Sequence, residues 1–134
     1  MTEEVLFGKG EKNLFNEYFT GQNYINILAI FNEVMVLNLT FDPGCRTKKH
    51  IIRTDKNGGI IGLVTGGEGW YKEEGQDARK LKQGDALAIP TNVKHWGGAT
   101  KDSSLSMLII EVPGENQNIE WCEEVSDDEY NALE

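Results

Sequence analysis

A chain of 134 residues holds enough apolar material for one hydrophobic core and little for a second. Its 22 acidic residues outnumber its 13 Lys and Arg, for a net charge of −9, which argues against a nucleic-acid backbone as partner. A run of about 18 apolar residues, the length a membrane-spanning helix needs, is absent, and the acidic start Met1-Thr2-Glu3-Glu4 lacks the pattern of a secretory signal.

In chain order, Asn13 to Phe19 can form a turn or two of helix. Met35, Leu37, Leu39 and Phe41 then share one parity, with Val36, Asn38 and Thr40 on the other, which is the alternation of a strand. Asp42-Pro43-Gly44 ends that run with a turn sequence. Further apolar runs follow at Ile60 to Thr65, Trp70 to Glu73, Ala86 to Ile89 and Leu105 to Val112. Asn57-Gly58-Gly59, Gly66-Gly67, Glu74-Gly75 and Gln83-Gly84-Asp85 separate them and read as turns. Short strands at this spacing, with 15 glycines, indicate an all-β sandwich or barrel. At the far end, Ser126-Asp127-Asp128-Glu129 is a capping-box pattern that predicts a short terminal helix. The nine acidic residues from Glu111 to Glu134, with no Lys or Arg among them, read as a solvated surface.

The two cysteines, Cys45 and Cys122, are too few for a disulfide framework and too far apart for a CxxC site, so a reduced, cytoplasmic setting is expected. Cys45 reads as a buried structural thiol. Trp70, Trp96 and Trp121 read as core or interface residues.

Two spaced motifs carry more information. Gly44 is followed after five residues by His50 and later by Gly67; Gly84 is followed after five residues by Pro90 and then by Val93-Lys94-His95-Trp96. This arrangement, over about Phe41 to Val112, resembles the paired motifs of the cupin superfamily. Asn16-Glu17-Tyr18-Phe19-Thr20-Gly21, Lys94-His95-Trp96 and the ending from Glu120-Trp121 to Tyr130 resemble one cupin group in particular. That group includes manganese-dependent hydroxynitrile lyases and cupins associated with carboxymuconolactone-decarboxylase-like domains. The resemblance implies an all-β cupin jelly-roll barrel spanning residues 1–134 as one domain, with short N- and C-terminal extensions. It also implies a homodimer and a pocket inside the barrel mouth.

The cupin metal site is only partly represented. The resemblance assigns metal-ligand positions to His50 and His95, but the partner two residues after His50 is Ile52, and the usual Glu or Gln aligns with Ile60. Two further polar pocket positions of the resembling lyases read Gly97 and Met107. These side chains offer no strong donor or acceptor, so the pocket is expected to have turned toward apolar packing without a full metal site. A metal, if held, would be Mn, Fe, Ni or Zn. Asp55 is the nearest carboxylate to His50 in sequence, but it sits in a turn-like segment.

Arg46, Lys48 and His50 share one strand parity, which places Arg46 and Lys48 at the mouth if His50 faces inward. Arg46, Lys48, His50, His95 and Met107 are therefore the expected ligand-binding residues. The expected ligand is a small organic molecule, an anion if the two cations line the mouth, while long cationic side chains at a strand end that simply reach water fit the pattern equally. Two other functions fit the same sequence. One is a lyase, decarboxylase or isomerase working through His50 and His95, with metal or with His95 as general base. The other is a dimeric scaffold with a vestigial pocket.

Overall fold

The computed structural model describes residues 5–14 and 16–133. Its first strands are β1 (Glu11–Lys12), β2 (Phe19–Thr20), β3 (Asn23–Phe31), β4 (Val34–Phe41), β5 (Arg46–Thr47) and β6 (His50–Arg53). They are followed by β7 (Lys56–Glu73), β8 (Arg79–Lys82), β9 (Ala86–Ile89), β10 (His95–Ala99), β11 (Leu105–Glu115) and β12 (Asn118–Trp121). One helix, α1 (Asp127–Asn131), follows the last strand. Within the predicted Asn13 to Phe19 stretch, Asn16–Tyr18 form a single 3-10 turn. The all-β jelly-roll barrel expected from the sequence is the architecture observed.

Every strand pairing is antiparallel. One sheet runs β1-β3-β4-β11-β7-β9. The other joins β2, β5, β10, β6 and β12, and meets β7 and β8 on the far side of β10. Strand β7 belongs to both, pairing with β11 and β9 through its first half and with β10 and β8 through its second.

That shared strand corrects one expectation. Gly66-Gly67 does not separate two strands by a turn but lies inside the 18 residues of β7, where the chain passes from one sheet to the other. Gly67 has φ +78°, and a Cβ there would collide with the Ser104 carbonyl oxygen, so the bend accepts no side chain. Asn57-Gly58-Gly59, also expected as a turn, opens the same strand with left-handed φ values of 59°, 84° and 109°.

Because β7 joins the sheets at its bend, they converge there and part away from it. Cys45, Ala99 and Leu105, each fully buried, seal the convergent end. Burial pushes the Cys45 thiol up to about 12, with the Asp42 charge adding to the effect, so it stays protonated as a small apolar core group. The main core fills the inner faces and includes Leu37, Phe41, Val64, Leu81, Leu87 and Ile109.

A second, smaller core lies on the outer face of the second sheet, where Trp70, Trp96, Val125 and Tyr130 pack together. The predicted cap holds: Ser126 Oγ accepts from the Glu129 amide at 3.1 Å. A five-residue helix cannot persist alone. Tyr130 ties it down by donating its hydroxyl to the Ala99 carbonyl.

Candidate functional site

Between the diverging sheets lies a cavity of about 370 Å³. The first sheet contributes Leu37, Leu39, Ile60, Met107, Ile109 and Glu111; the second contributes Thr47, His50, Tyr71, His95, Ile119 and Trp121. Alternation explains the selection, since residues two apart on a strand face the same side. Met107, Ile109 and Glu111 are successive inward positions of β11.

His50 and His95 are directly opposite each other in the β6–β10 register, with ring centroids 4.3 Å apart. Each ring is tethered through Nδ1, His50 to the Lys48 carbonyl at 2.8 Å and His95 to the Val93 carbonyl at 3.0 Å. A carbonyl only accepts, so each Nδ1 carries the hydrogen and Nε2 is the acceptor of the neutral ring. Burial, reinforced by the neighbouring His95, lowers His50 to about 4. Burial also lowers His95, overcoming the opposing pull of its Val93 hydrogen bond and of the Glu73 carboxylate. Both imidazoles are therefore neutral at pH 7.

Aromatic rings surround the pair. Trp121 lies 4.7 Å from the His50 ring and stacks on Tyr18 at 4.2 Å with an interplanar angle of 13°. Tyr71 stands 5.9 Å from the His95 ring and donates its hydroxyl to Glu73 at 2.7 Å.

Of the sequence-predicted site residues, the structure brings His50, His95 and Met107 to the cavity, together with Ile60 and Gly97. Ile52 is fully buried, opposite Ile119 in the β6–β12 register. Arg46 is not at the mouth, and its expected placement there is corrected. Strand β5 ends at Thr47, and Lys48-Lys49 interrupt the ladder before β6 begins at His50. The parity count is reset by this break, and Thr47 faces inward instead.

Arg46 points to the opposite side. It donates to the Val125 carbonyl from Nη2 at 2.9 Å and to Asp127 at 2.7 Å, with its guanidinium 4.3 Å from the Tyr130 ring centre. Lys48 likewise does not line the cavity; its carbonyl orients His50, and its amide donates to the Tyr18 carbonyl. Among the described lining residues there is no Lys or Arg at all. The basic mouth that an anionic ligand would need is absent among the described residues.

Sequence reasoning missed Glu111, Tyr18 and Trp121 as cavity residues. In sequence Glu111 reads as part of the acidic C-terminal stretch, and its parity with Met107 and Ile109 is the signal that places it inward. Burial raises its carboxyl above the ordinary value.

The donor set does not fit a first-row metal. Nδ1-tethered imidazoles are the form in which histidine ligates, but such a site takes three or more protein ligands. Among the described residues no group of three His, Cys, Asp or Glu is placed to share an ion.

Residues 44–131 match the AraC-like ligand binding domain. The chain belongs to the AraC-like ligand-binding domain family. Its fold is that of the cupins: a cupin-like protein from Thermotoga maritima superimposes with a TM-score of 0.82 at 34% identity, over 97% of each chain. A double-stranded β-helix protein from Klebsiella pneumoniae gives 0.63 at 20% identity, over 81% of this chain and 94% of that one. A protein described as a predicted oxalate decarboxylase, also from T. maritima, gives 0.64 at 17% identity, over 76% and 90%. The last two likenesses establish the fold alone. A sunflower (Helianthus annuus) 11S globulin seed storage protein G3 is 30% identical over 74 residues, 55% of this chain, and this domain spans only 15% of that protein. No helix of the AraC-like domain is long and apolar enough to cross a membrane, among the described residues.

Proposed function

We propose that this domain binds a small, largely apolar organic molecule inside the barrel, with His50 and His95 as metal-free hydrogen-bond acceptors. The observation that carries the reading is the pair of neutral imidazoles, each held by its Nδ1–H, set in an otherwise mainly apolar cavity. A volume near 370 Å³ suits a compact organic ligand, and a few fixed polar groups among apolar walls are the usual composition of such sites. The polar positions lost at Ile60, Gly97 and Met107 enlarge the apolar share of that wall, consistent with a cupin metal site reduced to two imidazoles.

Phenethyl alcohol, an aromatic ring with one hydroxyl donor, is a direct probe. Calorimetric titration should show binding that survives prior chelation and falls at least about tenfold, or 1.4 kcal/mol, in His50→Ala/His95→Ala. Binding abolished by chelation, or unchanged in the double variant, would overturn the reading.

An assembly follows from a separate observation. Strand β1 pairs only with Tyr24 and Ile25 of β3, so Ile27 to Phe31 offer a free edge among the described residues. Ile27, Ile30 and Phe31 are 55%, 64% and 76% exposed there, and β3 contains no charged residue. Natural edges carry charges or proline to prevent pairing. An uncharged antiparallel edge is self-complementary about a two-fold axis, and a second copy of this chain is its proposed occupant. The free thiols of Cys45 and Cys122 support a reducing, cytoplasmic setting for this one-domain dimer.

A further inference from the structure

From the cavity's charged and polar lining we infer that the ligand is a cation, a protonated organic amine whose ammonium group is held by Glu111. The inference rests on the proposed ligand site and names the chemical class that site selects.

The charged group among the described lining residues is of one sign, and strong acceptors stand on both sheets. His50 and His95 each present an imidazole acceptor from the second sheet, and Glu111 presents a carboxylate from the first. Glu111 has no hydrogen bond or ion pair to any described residue. In register, its neighbours are Met35 on β4 and Ile60 on β7, neither of which can answer a charge. Tyr71, the nearby hydroxyl donor on the second sheet, is already committed to Glu73.

Two imidazole acceptors and a carboxylate lining one cavity favour a molecule that donates. An ammonium group supplies three N–H donors and the charge that Glu111 lacks. A carboxylate or phosphate would meet the like charge of Glu111, with no Lys or Arg among the described lining residues to offset the repulsion and only neutral donors such as Thr47 and Trp121 to bind it. Burial raises the carboxyl of the half-buried Glu111, and a bound cation would oppose that shift.

The wall suits the body of such a molecule. The Trp121 ring, stacked on Tyr18 and beside His50, adds an aromatic surface that packs against an aromatic or aliphatic body. The net charge of −9 adds a long-range field that draws cations toward the protein and repels anions.

The test compares phenethylamine, phenethyl alcohol and phenylacetate, which share a ring and differ in head group, by calorimetric titration at pH 7. The amine should bind at least about tenfold tighter than the alcohol, with phenylacetate weakest. In Glu111→Gln, which keeps size and polarity, the advantage of amine over alcohol should disappear while alcohol binding is retained. Equal binding of amine and alcohol in the parent protein, tightest binding of phenylacetate, or an amine preference surviving in Glu111→Gln would overturn the inference and leave the apolar site standing. Failure of all three probes to bind at about millimolar concentration would overturn both readings.

Discussion

Replacing Arg46 by Ala separates a structural role from a ligand-binding one, because the sequence pattern and the folded chain disagree about where this side chain points. Its head group reaches the C-terminal segment, so the expected loss is one of stability. Removing the guanidinium takes a charged donor from the buried Val125 carbonyl, a loss of about 1.5–3 kcal/mol. The Asp127 pair adds at most about 1 kcal/mol, since that carboxylate is 85% exposed and returns to water. Loss of the cation over the Tyr130 ring adds roughly 0.5–2 kcal/mol. Together these predict a destabilisation of about 2–6 kcal/mol. For a domain of this size that lowers Tm by at least roughly 6 °C. Differential scanning calorimetry measures the shift, and titration of phenethyl alcohol well below the lowered Tm should give an affinity within about twofold of the parent. Arg46→Lys, which keeps the charge but not the planar fork, should recover less than half of the lost stability. An unchanged Tm accompanied by lost ligand affinity would place Arg46 at the cavity and refute the geometry.

Other consequences are equally direct. His50 is neutral in the fold and titrates near 4, below the ordinary 6.5. The unfolded chain therefore binds the extra proton first, and stability should fall as pH drops from about 6.5 to 4 and be fully present above that window, with up to about 3 kcal/mol at stake. Chemical denaturation across pH checks this, and His50→Gln should flatten the slope in that window. Gly67→Ala should fail to give folded protein, or lose more than about 3 kcal/mol by urea denaturation, because the added Cβ meets a backbone carbonyl at a left-handed φ. Ile30→Lys places a charge on the free β3 edge; sedimentation should change from dimer to monomer with phenethyl alcohol binding retained. A parent protein that sediments as a monomer would refute the proposed pairing.

The features legible in sequence were those set by local periodicity and by paired spacing. Met35 to Phe41 alternate in sequence as a strand does, and they form β4, where Asn38 and Thr40 on the other face are buried as well. His50 and His95, 45 positions apart in the numbering, were connected only by the two motifs, and the fold sets them in register as cross-strand neighbours. The Ser126 cap was readable because its partner is three residues away. What escaped depended on distant backbone. Gly66-Gly67 looks the same in sequence whether the chain turns or bends through; the approach of Ser104 decides that it bends. Strand β3 was passed over because Tyr24, Ile25, Ile27 and Leu28 are bulky on both parities, and a bulge between Ile27 and Ala29 disturbs the count further. Arg46 was misplaced by carrying one parity across the Lys48-Lys49 break. Glu111 was hidden by its membership in an acidic stretch, although it continues the inward row of Met107 and Ile109.

Nitrogen NMR of the two imidazole rings at pH 7, recorded before and after phenethyl alcohol in the presence of a chelator, bears most directly on the metal-free site. The account predicts both rings neutral and protonated at Nδ1, with the Nε2 resonances moving on ligand addition and unmoved by the chelator. Rings that are charged, or Nε2 resonances that respond to the ligand only when a transition metal is supplied, would contradict it.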